Sequence, residues 1–119
     1  MLTNQEIKDR VLKYQKILEP FIAEEVHLSI SDKDTAVEFT TTLLEVNKAR
    51  LSDMTNKPDK CTGYDKEGKQ KQYTPPCLVL KCSDGMLYFV IEDLTIQQGL
   101  QGVVLTTYSA VCRIKEVNI

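Results

Sequence analysis

The first periodic stretch of the chain opens at a capping box. Thr3 and Glu6 have the spacing at which a threonine hydroxyl covers the amide three residues on while the carboxylate returns to the threonine backbone. Leu2 and Ile7 are placed as the accompanying hydrophobic staple. Ile7, Val11, Tyr14 and Leu18 then recur every three or four positions, one face of a helix, and Pro20 closes it. After Phe21 the period changes. Val26, Leu28 and Ile30 alternate with His27, Ser29 and Ser31, as in a strand with one buried face. A second start signal follows at Asp34 or Thr35, with Glu38 completing a box from Thr35. Ala36, Phe39, Leu43 and Val46 supply a buried face, so the spacing predicts a second helix ending near Asn47. Thr40, Thr41 and Thr42 are poor helix material that burial has to hold.

Residues 50–54 read as a short strand. Residues 56–72 hold five Lys, two Asp and one Glu with only Cys61 and Tyr64 apolar, so this insert is solvated. Its turn-like residues 65–68 suggest a hairpin excursion flanked by Tyr64 and Tyr73. The clearest β-hairpin comes next: residues 77–82, the turn Ser83, Asp84 and Gly85, then residues 86–91. Thr95 and Gln98 have capping-box spacing, and Ile96, Leu100, Val103, Val104, Tyr108 and Val111 predict a final long helix. Residues 113–119 are too short and mixed to assign. No internal repeat or linker divides the chain, which reads as a single domain over residues 1–119.

Composition narrows the function classes. A chain of 119 residues, 42% hydrophobic and 27% charged, can hold a core without a disulfide or metal staple. Fifteen basic residues against 17 acidic leave a formal charge of -2, which argues against nucleic acid or an anionic membrane surface as the main partner. The single histidine, His27, excludes a multi-His metal site and leaves little for Ser/His or Cys/His catalysis. Cys61, Cys77, Cys82 and Cys112 match neither CxxC nor a zinc-ribbon spacing, so no cofactor or metal is expected. The first ten residues lead into no apolar segment, and no stretch approaches the ~18 apolar residues of a membrane span. A cytoplasmic protein is expected, with each cysteine a small buried apolar residue by default.

The element order is α, then βαβ, then ββα, which is the thioredoxin arrangement: an α/β fold with a four-stranded mixed sheet and helices on both faces. A ferredoxin-like α+β fold would need a further strand after the last helix. Pro76, directly before the first hairpin strand, stands where the thioredoxin fold places a cis-proline, facing the start of the helix after the first strand. Over residues 8–112 the pattern resembles the redox-inactive first half of the N-terminal domain of the alkyl hydroperoxide reductase flavoprotein subunit. The resemblance rests on the amphipathic first helix, Val26 and Leu28 in a strand, a helix ending near Asn47, Pro76 with Leu78 and Leu80, and Gly99 in the first turn of the last helix. That family joins this half to a second one carrying CxxC. The present sequence holds one unit, and its insert at 56–72 is longer than the pattern suggests.

In such a fold, thiol–disulfide exchange needs a thiolate at the amino end of the helix after the first strand. Here that stretch reads Asp32, Lys33, Asp34, Thr35 and contains no sulfur, so Asp34 and Thr35 read as structural caps beside the groove at Pro76. Cys77 follows Pro76 and is the one thiol the resemblance puts near that terminus; the plainer reading is a packed strand cysteine. Two functions follow. The favoured one is a non-catalytic binding module holding a protein partner in the groove of Pro76, Cys77, Asp34 and Thr35 or along a sheet edge. The alternative is a thiol redox enzyme acting through Cys77 with an external resolving thiol. In the thioredoxin arrangement residues 86–91 form an edge strand with no charge before Glu92. Homodimerisation or docking of a protein partner is therefore expected through this edge or the adjoining face of the last helix, with Tyr88 or Phe89 as anchor.

Overall fold

The capping box forms as its spacing predicts in the computed structural model, which describes residues 2–50, 61–64, 70–73, 75–108 and 110–117. The Glu6 amide donates to Thr3 Oγ1 at 3.1 Å, and the Thr3 amide donates to the Glu6 carboxylate at 3.4 Å. This opens α1 (Asn4–Leu18), whose buried face is Ile7, Val11, Tyr14 and Leu18. Pro20 lies in the 3-10 turn Glu19–Phe21 that follows. No helix among the described residues is long and apolar enough to cross a membrane.

After the first helix the described residues are mostly in strands. They are β1 (Glu25–Asp32), β2 (Ala36–Arg50), β3 (Cys61–Tyr64), β4 (Gln70–Tyr73), β5 (Pro76–Cys82), β6 (Gly85–Val90), β7 (Thr95–Gln98), β8 (Gly102–Thr106) and β9 (Ala110–Glu116). Seven of them form one sheet in the order β6-β5-β2-β1-β9-β8-β7, with every pairing antiparallel. β3 and β4 make a separate hairpin in the polar insert, with Tyr64 opposite Gln70 and Cys61 opposite Tyr73. The short strand expected at 50–54 falls largely on positions outside the described residues.

This architecture overturns the thioredoxin-like expectation. Instead of a four-stranded mixed sheet with helices on both faces, the sheet is seven-stranded and antiparallel, and α1 is the one α-helix among the described residues. The predicted helix from Thr35 to Asn47 is β2. Phe39, Thr41 and Leu43 alternate as strand residues, with Thr41 and Leu43 buried and Phe39 packed against the core. The β1–β2 register sets Phe39 opposite Leu28 and Thr41 opposite Val26. The β2–β5 register then shifts between Leu43 and Glu45, a β-bulge in which Leu44 is the extra residue. One inserted residue reverses the facing of everything after it, so Val46 turns inward three positions after Leu43. That step from 43 to 46 is what imitates a helical period.

The predicted last helix is three strands, β7, β8 and β9. Gly99 and Gly102 bracket the β7–β8 turn, where the Gly99 amide donates to the Gly102 carbonyl at 2.7 Å. A second turn is closed by the Thr107 amide on the Ala110 carbonyl at 2.9 Å. The cis-proline is likewise corrected: no peptide bond among the described residues is cis. Pro76 is the first residue of β5, opposite Arg50, a position at which a residue without an N–H is tolerated.

One face of the sheet carries the core. Val26 and Leu28 of β1, Leu43 and Val46 of β2, Leu78 and Leu80 of β5, Leu105 of β8 and Ile114 of β9 cluster with the buried face of α1. Fully burying a leucine contributes roughly 1.5–3 kcal/mol against leaving it exposed. Polar ties fix the helix on this core. Gln15 Nε2 donates to the Val46 carbonyl at 2.8 Å and Arg10 donates to the Ile91 carbonyl at 3.4 Å, the latter in the 3-10 turn Ile91–Asp93 between β6 and β7. β6 and β7, consecutive in sequence, are the two edges of the sheet. The sheet curls: Ile30 of β1 and Leu87 of β6, three strands apart in order, line the same cleft.

Candidate partner-binding edge and cleft

β6 is one of the two edges of the curled sheet. Among the described residues β6 pairs with β5 alone, and along its other side none of them pairs with its backbone N–H and C=O groups, the arrangement to which a strand can be added. Its sequence, Gly-Met-Leu-Tyr-Phe-Val, carries no charge. Leu87 and Phe89 point inward and pack against the core, whereas Met86 and Tyr88, 55% and 51% exposed, point outward. The opposite edge, β7, is shorter and reads Thr-Ile-Gln-Gln. The two edges therefore differ in kind, and the apolar one is left uncovered among the described residues.

Beside β6 opens a cleft of about 360 Å3. Residues 87–90 form one wall, Ile30 of β1 its inner side, and Asp93 with the β8–β9 turn its far wall. That turn is held in place. Thr107 Oγ1 accepts from the Ala110 amide at 3.2 Å and donates to the Ala110 carbonyl at 3.3 Å, while Tyr108 projects from it, 92% exposed. The walls are mostly aliphatic and aromatic, so the cleft suits an apolar side chain. Among the described residues no group of three or more His, Cys, Asp or Glu could hold a metal ion.

The residues singled out from sequence do not converge. Tyr88 and Phe89 stand on β6 beside the cleft. Cys77 and Pro76 begin β5, with Cys77 opposite Val90 and Ala49. Asp34 and Thr35 lie at the far end of the 15-residue β2, in the β1–β2 turn. They cap no helix, since none follows. In that turn Asp32 Oδ1 accepts from the Asp34 amide at 2.8 Å, the Thr35 amide at 2.7 Å and the Thr35 hydroxyl at 3.0 Å. Those bonds, the Asp34 amide first, hold the Asp32 carboxyl below its ordinary range. The signal for this turn is the Asp-x-x-Thr spacing, which serves a hairpin as readily as a helix start.

None of the described thiols suits exchange chemistry. Cys77 is fully buried, with Sγ 3.8 Å from the Pro75 carbonyl. Cys82 and Cys112 are buried as well, and burial pushes both thiols up, Cys112 to about 12. A reactive cysteine needs a lowered pKa and access to solvent. The cleft residues that the sequence does not single out are Ile30, Leu87, Val90, Asp93, Thr107, Tyr108 and Ala110. In the sequence Tyr108 has the spacing of a helix face, and nothing in a hydrophobic pattern brings a turn at 107–110 against a strand at 85–90. Comparison with family models, with curated proteins and with solved structures gives no match.

Proposed function

We propose that this domain is a non-catalytic recognition module that binds an extended segment of another protein along β6. The observation that carries the reading is the juxtaposition of an apolar cleft with a charge-free edge strand that, among the described residues, is paired on one side only. An added strand would take main-chain hydrogen bonds from the edge, and one of its side chains would enter the cleft for specificity. The cleft volume suits one or two side chains; a helix would leave the strand edge unpaired.

A second copy of this chain fits less well. In a β6–β6 pairing the inward side chains of each copy, Leu87 and Phe89, are already packed against their own core, so neither could fill the other's cleft. A separate segment with apolar residues at alternate positions meets both requirements.

The test is selection of random decapeptides displayed on phage, followed by amide hydrogen exchange of the natural chain with and without a selected synthetic peptide. The expected result is peptides with alternating apolar residues that slow exchange in residues 85–90. Selected peptides that leave those amides unchanged would overturn the reading. Concentration-dependent protection of the same amides without peptide would assign the edge to a second copy instead.

A further inference from the structure

The face of the sheet opposite the core carries a second feature, independent of the β6 edge. The register of β2, β1, β9 and β8 lays its outward side chains in rows. Lys115 stands opposite His27 on one side and Gly102 on the other, and Arg113 stands opposite Ser29, which in turn faces Glu38. A groove of about 490 Å3 opens over this lattice, with Gly102 in its lining.

The charge of the groove runs against that of the chain. Glu38 is the one carboxylate residue in its described lining, and its Oε2 lies 3.8 Å from His27 Nε2. Arg113 and Lys115, two positions apart on one face of β9, make no ion pair among the described residues. Two cations without an ion-pair partner among the described residues therefore stand on the same face with their Cα atoms roughly 7 Å apart, in a protein whose formal charge is -2. Neighbouring like charges repel, and a bound anion between them relieves the repulsion.

We propose that this groove binds a phosphate group, with Arg113 and Lys115 as its clamps and the Ser29 hydroxyl as a further donor. The guanidinium fork and the ammonium group match the oxygens of a tetrahedral oxyanion. Ser29, directly opposite Arg113, can donate a hydrogen bond to the same group. The groove exceeds the size of a bare phosphate, which leaves space for the organic part of a phosphate ester. Because the clamps are solvent-exposed, affinity for phosphate alone should be on the order of millimolar.

The experiment is titration of the isotopically labelled full chain with inorganic phosphate, and separately with phenyl phosphate, ionic strength being held constant with sodium chloride. Amide resonances of residues 27–29, 102–104 and 113–115 should move saturably. Arg113→Ala and Lys115→Ala should each weaken binding roughly three- to tenfold. Glu38→Gln should tighten it by a few-fold, a gain that cannot come from misfolding. Lys81→Ala, on β5, should change nothing. Tighter binding of phenyl phosphate identifies an ester as the ligand, and equal affinity identifies the free ion. The proposal is overturned if chloride at matched ionic strength produces the same shifts, or if Glu38→Gln and the two alanine variants bind phosphate as the natural chain does.

Discussion

The Tyr14 hydroxyl donates to the Leu94 carbonyl at 2.8 Å, a buried bond between residues 80 positions apart. It joins the middle of α1 to the segment that carries the chain from one sheet edge to the other. Removing the donor leaves a buried carbonyl without its partner, a loss of about 1–3 kcal/mol. Tyr14→Phe is therefore expected to lower the urea midpoint with no change in the slope of the transition. An unchanged midpoint would mean that water replaces the hydroxyl at that carbonyl.

Gly102 and Gly99 bracket the same turn but carry opposite expectations. A Cβ on Gly102 would collide with the Ile114 carbonyl and press on Lys115 Cα, both backbone groups of the neighbouring strand. A Cβ on Gly99 would meet only the Gly102 carbonyl at 3.5 Å, an ordinary contact. Gly102→Ala should cost about 3 kcal/mol or more, because β8 and β9 must separate to admit it, whereas Gly99→Ala should cost under about 1 kcal/mol. Thermal unfolding of the two variants measures the contrast. Equal losses would contradict the close approach of β8 to β9.

That glycine also shows where the sequence was legible and where it was not. The capped helix, the alternating strand at 26–30 and the hairpin around residues 83–84 could be read locally, because each carries its own start, period and stop. β2 could not, because its bulge at Leu44 changes the facing of Val46, and facing is the only thing a period records. Residues 95–111 failed for a related reason. Two short turns reset the alternation, so Ile96, Val103 and Val111 sum to a helical spacing no single strand possesses. The contrary signals were local chemistry: paired glycines at 99 and 102, and β-branched residues Val103, Val104, Thr106 and Thr107. The charge-free run of β6 is visible in the sequence, but the cleft beside it is not, since it depends on a curl that brings Ile30 and Leu87, three strands apart in order, to one cleft.

Stability should fall at both ends of the pH range, from different residues. Asp32 has its carboxyl lowered by the turn amides, so its contribution is present above 3.8 and is lost as pH drops through the lowered value. The stability difference between the natural chain and Asp32→Ala should accordingly shrink below that pH. Cys112 behaves in the opposite sense. Its thiol is raised from 9.0 to about 12, chiefly by burial and secondarily by Cys82, so the fold favours the neutral form. Stability is complete below pH 9 and declines by about 1.4 kcal/mol per pH unit above it, as the unfolded thiol ionises and the folded one does not. Cys112→Ala should remove that part of the alkaline slope, measured by urea unfolding at stepped pH. An identical slope in the variant would show that Cys112 ionises as easily folded as unfolded.

The two sheet edges allow a decisive comparison. Met86 and Tyr88 are exposed on the outward face of β6, and Thr95 is exposed on β7, so a lysine at any of them disturbs no core packing. Each should change stability by about 0.5 kcal/mol or less. Charges on an edge strand nonetheless oppose strand addition, because an incoming apolar segment must then lie against solvated ammonium groups. The double variant Met86→Lys, Tyr88→Lys is therefore expected to lower the affinity of a peptide selected on the natural chain by at least tenfold, while Thr95→Lys leaves it within a factor of two. Isothermal titration of that peptide into each folded variant supplies both numbers. If lysine on β7 weakens binding as much as the pair on β6, the partner occupies the other edge, and the cleft at Ile30 and Tyr108 has no part in holding it.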